Sequence, residues 1–178
     1  MKNIFLTGEV GVGKSTIIQK VLSLMPPLVC GGFRTVSATP VSEGALFDVF
    51  IEKAWEKTPH DKVHLVGSRL GNGRFISYPE TFDSVGAAFL LTSPPDASLI
   101  LMDELGVMES DAALFRNAVL NLLNGSLPIL GVIKPKHSAF LEAIRSHERS
   151  EVLEVTHENR DLLPSQIADV LCGMIKSD

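Results

Sequence analysis

With 178 residues, 45% of them apolar and 21% charged, the chain has the make-up of one globular domain large enough for a substantial core. Sixteen basic against twenty-one acidic residues leave a net charge of −5, which excludes broad sequence-independent nucleic-acid binding, since that needs a basic surface to displace counterions. Cys30 and Cys172 are too few for a disulfide framework or zinc site, and no apolar run reaches membrane-spanning length. The expectation is a cytoplasmic protein with neither nucleic acid nor membrane as a partner.

Met1 to Thr7 is short, apolar and β-branched, as a buried strand requires. A glycine-rich loop comes directly after it, so a core strand is expected here and not a signal peptide. Gly8-Glu9-Val10-Gly11-Val12-Gly13-Lys14-Ser15 is a complete G-x-x-x-x-G-K-[ST] phosphate-binding loop. Its glycines let successive N–H groups point into one concavity, and the helix starting near Lys14 adds unsatisfied N–H groups and a dipole end that favours phosphate. Lys14 is a mobile point charge for the β and γ phosphates, and Ser15 offers a hydroxyl to Mg²⁺. Thr16 to Met25 continues with apolar residues at helical spacing until Pro26-Pro27 stops it. Strand, loop and helix in this order predict binding of a nucleoside di- or triphosphate.

Beyond Pro27 the pattern turns extended. Residues 28–37 and 45–51 read as strands, with shorter ones at 63–66 and 74–77 around Gly71-Asn72-Gly73. This β-rich insert, roughly 28–78, is expected to add antiparallel strands to a parallel sheet. Pro79 to about Leu91 reads as a helix, and residues 97–104 as an apolar strand ending in two acids. A helix over 111–123 is predicted with Ser110 as its cap, followed by a strand over 128–133. Lys134-Pro135-Lys136-His137 reads as a solvated loop, with a phosphate contact as the alternative. A helix over 138–147, a strand over 151–155 and a helix over 165–176 complete the chain. The alternation predicts one α/β domain over residues 1–178, a three-layer sandwich with a mostly parallel sheet.

Asp103 closes the strand at 97–104, where a carboxylate at the end of a buried parallel strand can hold hydrated Mg²⁺. Glu104 is the next residue and is placed to orient the attacking water and accept its proton. The five histidines (His60, His64, His137, His147, His157) have no metal spacing and read as structural or surface residues, and Trp55 as a packing residue.

Four stretches give the chain a resemblance to the nucleoside-triphosphatase family first described from thermophiles, whose vertebrate members are the cancer-related nucleoside triphosphatases. They are residues 8–16, Gly32-Phe33-Arg34-Thr35, Asp103-Glu104-Leu105-Gly106-Val107-Met108-Glu109 and Asn159-Arg160-Asp161. The resemblance implies a phosphate-loop fold and slow, Mg²⁺-dependent hydrolysis of ATP, GTP and other nucleoside triphosphates to diphosphate and phosphate. By position it makes residues Gly8, Glu9, Val10, Gly11, Val12, Gly13, Lys14, Ser15 and Thr16 nucleotide-binding, Ser15 and Asp103 metal ligands, and Lys14 and Glu104 catalytic. It also implies that Asn159 and Arg160 meet the base or sugar and that Glu109 anchors the loop after the strand. The chain departs from the family at Glu43-Gly44-Ala45-Leu46-Phe47, which lacks the arginine of the Gly-x-Arg-x-Gly-Phe segment. Arg34, Arg69, Arg74 or an arginine from a protein partner are the candidate replacements. A nucleoside or nucleotide kinase and a nucleotide-dependent switch are the competing readings.

Overall fold

Four of the five residues of strand β1 (Asn3–Thr7) are buried, because the strand lies inside an eight-stranded sheet with covering on both faces. The computed structural model describes residues 2–175, so Met1 of the first predicted strand and Lys176 of the last predicted helix lie outside the described residues. Helix α1 (Lys14–Leu24) comes after the phosphate loop, and β2 (Cys30–Ala38), β3 (Ala45–Lys53), β4 (Leu65–Leu70) and β5 (Phe75–Ser77) come next. The chain then forms α2 (Pro79–Thr81), a π turn (Phe82–Gly86), α3 (Ala87–Leu91), β6 (Leu99–Leu105) and α4 (Ala113–Leu123). β7 (Ile129–Ile133), α5 (Ala139–Arg145), β8 (Ser150–Glu154) and α6 (Leu163–Ile175) complete it.

The strand order is β5-β4-β3-β2-β6-β7-β1-β8. Strands β2, β6, β7, β1 and β8 are parallel, and β3, β4 and β5 continue one edge antiparallel. The expected α/β sandwich with antiparallel additions is therefore the observed fold. Side chains alternate across the sheet even where every position is buried. Ile4, Leu6, Leu101 and Val132 pack under α1 and α6, whereas Phe5, Met102 and Ile133 face α3, α4 and α5.

Two details correct the expectations from sequence. Helix α4 begins at Ala113 with no side-chain cap from its own segment, so Ser110 does not cap it. Its Phe115 N–H donates instead to Asp83 Oδ1 (3.0 Å), from the π turn across the core. The predicted helix over 79–91 carries that π turn in its middle, where Gly86 lies so close to Phe115 and Ile51 that a Cβ would come within 3.0 Å. Ser138, by contrast, does cap α5: its Oγ accepts from the N–H of Leu141.

Candidate nucleotide-binding site

The phosphate loop leaves the carboxyl end of β1, between β7 and β8. Gly8 takes φ 137°, and a Cβ there would lie 2.6 Å from the carbonyl oxygen of Val155, so backbone conformation and space both demand glycine. Val155 is held at that distance because its N–H donates to Thr7 O (2.8 Å). Helix α1 has no side-chain cap and no acid in its first turn, which leaves its first N–H groups free of a competing side-chain anion. Lys14 is buried and donates to the carbonyls of Gly8 (2.9 Å) and Glu9 (2.7 Å), folding back over the loop. Burial lowers its pKa, and the nearby Asp103 charge partly opposes that.

The carboxylates come from β6. Between Met102 and Leu105 the β6–β7 pairing shifts register, with one extra residue on β6, and Asp103 and Glu104 occupy that irregularity. Such a bulge re-aims side chains at a sheet's rim. Asp103 is buried, and burial pushes its carboxyl up to about 6 against the hydroxyl of Ser15, which donates to it, and the charges of Arg34 and Lys14. Glu104 is half-buried and pairs with Lys134 (Oε1 to Nζ, 2.7 Å). Glu109 is fully buried and accepts the N–H of Gly106, bracing the turn after β6.

These groups surround a cavity of about 350 Å³ lined by Val10, Gly11, residues 13–16, Glu104, Lys134 and Pro135. A second cleft, about 330 Å³, shares Val10, Ser15, Glu104 and Lys134 and adds Asp103, Thr35, Ser37, Phe47 and Phe75. The structure thus gathers Lys14, Ser15, Thr16, Asp103 and Glu104, which lie far apart in the chain. Asn159 and Arg160 line neither cavity. The Asn159 amide is engaged in its own turn, accepting from Thr156 N–H and donating to Glu154 O, both at 2.8 Å. That turn nevertheless comes after β8, the neighbour of β1, and Lys20 of α1 reaches its Asp161 (3.4 Å).

Of the arginines, Arg34 stands opposite Asp103 in the β2–β6 register but directs Nη2 to Glu52 (3.5 Å). Arg69 and Arg74 are exposed and line neither cavity. Lys134, expected from sequence in a solvated loop, lines both. Its only signal in the sequence is the basic run at 134–136. Histidines pair locally, His60 with Glu52, His64 with Asp61 and His137 with Glu142, and Trp55 packs edge-on against Phe89.

The NTPase family model matches residues 3–168 of the sequence. The chain belongs to this NTPase family. It is 31% identical to the nucleoside-triphosphatase THEP1 of Methanosarcina barkeri, over 95% of this chain and 97% of that protein. It is 29% identical to the THEP1 of Thermofilum pendens, over 98% and 97% of the two chains. Among NTPase structures, the solution structure of a human cancer-related nucleoside triphosphatase superposes with a TM-score of 0.64 at 28% identity, covering 96% of this chain and 97% of that one. The crystal structure of THEP1 from Aquifex aeolicus shares the fold, with a TM-score of 0.70 at 23% identity over 96% and 99% of the chains.

Proposed function

We propose that this NTPase hydrolyses ATP, GTP and other nucleoside triphosphates slowly, with Mg²⁺, using Lys14 and Ser15 on the phosphates and metal, Asp103 on the metal, and Glu104 as the base. Hydrolysis of nucleoside triphosphates follows from membership of the NTPase family; the metal, the substrate range and the residue roles are the proposal. The observation that carries it is the convergence of the phosphate loop with Glu104 on one cavity, with Asp103 joined to Ser15 at its rim.

Ser15 and Asp103 suit Mg²⁺, since they are two hard oxygen donors already in hydrogen-bond contact, and this ion takes its remaining ligands from water and phosphate. Bound there, it would neutralise charge on the β and γ oxygens. Loop N–H groups and Lys14 hold the phosphate chain, and Glu104 orients water toward the γ phosphorus and accepts its proton as the bond forms. The base and sugar are assigned to the side of the 156–161 turn, where Asn159 shapes the backbone and Arg160 is the candidate contact. A cytoplasmic setting, where nucleoside triphosphates are abundant, agrees with this reading.

Purified protein with Mg²⁺ is expected to release phosphate from ATP and GTP with no added acceptor. Glu104→Gln should keep nucleotide binding while turnover falls about 10²-fold or more, the scale of general-base assistance. Normal turnover in that variant would remove Glu104 from its role. The second cleft favours a kinase as the second reading, because it brings the hydroxyls of Thr35 and Ser37, together with Phe47 and Phe75, into the lining of a space that also holds Glu104 and Ser15 of the loop. Phosphate transfer that appears only with a hydroxylic acceptor present would decide for it.

A further inference from the structure

Two lysines converge on the phosphate-loop cavity, and only Lys14 belongs to the loop. Lys134 comes from the end of β7, and its placement is built in detail. Its N–H donates to Leu105 O (2.8 Å), and its carbonyl accepts from Arg145 Nη2 (2.7 Å) and from Lys136 N–H (2.7 Å). Pro135 further restricts the backbone before it. The side chain crosses Gly106, where a Cβ would come 2.8 Å from Lys134 Cδ, so the glycine leaves the path for the lysine stem open. The stem ends with Nζ 2.7 Å from Glu104 Oε1. Burial lowers the pKa of this ammonium, and the charge of Lys14 opposes it as well. Two cations held toward one space repel each other, and a polyanion between them relieves that repulsion.

Among the described residues no arginine lines either cavity, and Arg34 is turned to Glu52. We propose that Lys134 is the cation that neutralises the γ phosphoryl group during its transfer to water, taking the part the family arginine would otherwise play. The inference rests on the hydrolytic reading above. Water oxygen bonds to the γ phosphorus while the bond to the β–γ bridging oxygen breaks, and that electron pair leaves with the diphosphate. The water proton goes to Glu104, and Lys134 exchanges its contact with the Glu104 carboxylate for the γ oxygens. Because the charge on those oxygens is redistributed as the bond breaks, the contact of Lys134 is worth more in the transition state than in the bound triphosphate.

The test compares wild type, Lys134→Met, which keeps the apolar stem over Gly106, and Lys134→Arg, in two assays with Mg²⁺. Steady-state phosphate release from ATP separates kcat from KM, and calorimetry measures affinity for ADP alone and for ADP with aluminium fluoride. Lys134→Met is expected to lower kcat by about 10²–10³-fold, the cost of removing one transition-state donor, with KM and ADP affinity changed less than about threefold. Its ADP–fluoroaluminate affinity should fall in parallel, and Lys134→Arg should recover kcat to within about tenfold of wild type. Unaltered kcat in Lys134→Met overturns the proposal. So does a fall in kcat with fluoroaluminate affinity unchanged, because Lys134 would then act only by holding Glu104. If wild type itself releases no phosphate, the hydrolytic reading fails instead, and the fluoroaluminate measurement still decides whether Lys134 meets the γ position.

Discussion

Glu109 shows what one buried carboxyl does to the turn behind the site. Its Oε1 accepts the Gly106 N–H, whereas its Oε2 is buried with no hydrogen-bond partner among the described residues. Burial pushes its pKa up to about 7, against the lowering effect of the Gly106 N–H and its own. A folded-state value above the unfolded one, about 4.3, stabilises the fold fully below the unfolded pKa, and that contribution is lost as pH rises through the folded value. Denaturant midpoints measured from pH 4.5 to 8 should therefore decline for wild type relative to Glu109→Gln, which cannot ionise. Parallel profiles for the two proteins would show that the carboxyl is solvated in solution. That Glu109 braces this turn was legible in the family motif. The upward push on its pKa was not, because burial depends on what packs around it.

At the scale of elements, α4 is the instructive case. Its own sequence offers Ser110 as a cap, yet the helix starts later, and its Phe115 N–H is satisfied by Asp83. The same contact ties the π turn to α4, alongside the Phe82–Phe115 ring pair with centroids 5.1 Å apart. Asp83→Ala leaves that N–H without its acceptor and should cost about 1 kcal/mol of unfolding free energy, the usual size of a lost N-cap. Asp83→Asn keeps an oxygen acceptor and should lose about half as much or less. Equal destabilisation by both would mean that the negative charge at the helix end matters more than the hydrogen bond. Local sequence could not show this cap, because donor and acceptor sit on separate helices brought together only by the core.

Across the whole molecule, the site is assembled at the carboxyl ends of three neighbouring strands, β6, β7 and β1, all of them paired on both sides within the sheet. Ligand bound there stabilises the native state alone and should raise the stability of the entire cooperative unit. Saturation at about 100 times the dissociation constant contributes about 2.7 kcal/mol. For a chain of this size that corresponds to a Tm rise of about 5–10 °C with Mg²⁺ and a non-hydrolysable triphosphate. Lys14→Ala should abolish the rise, because it removes the charge closest to the loop while leaving the sheet intact. A rise that persists undiminished in Lys14→Ala would place the stabilising ligand elsewhere.

The phosphate loop was readable without a structure because its chemistry is local: a strand, a glycine-rich turn and a helix start are contiguous, and glycine at Gly8 is dictated by backbone geometry. Asp103 and Glu104 were readable for a similar reason, since an apolar strand ending in two acids carries its own signature. The sequence by itself thus determined the phosphate-binding element, the paired acids, the α/β class and the family. Tertiary structure alone decided the strand order that sets β6 and β7 beside β1, the cap from Asp83, and the turn of Arg34 to Glu52. It also brought Lys134 across Gly106 to Glu104. Each of those outcomes joins residues remote in the chain, and only the packing of both sheet faces determines which of them meet.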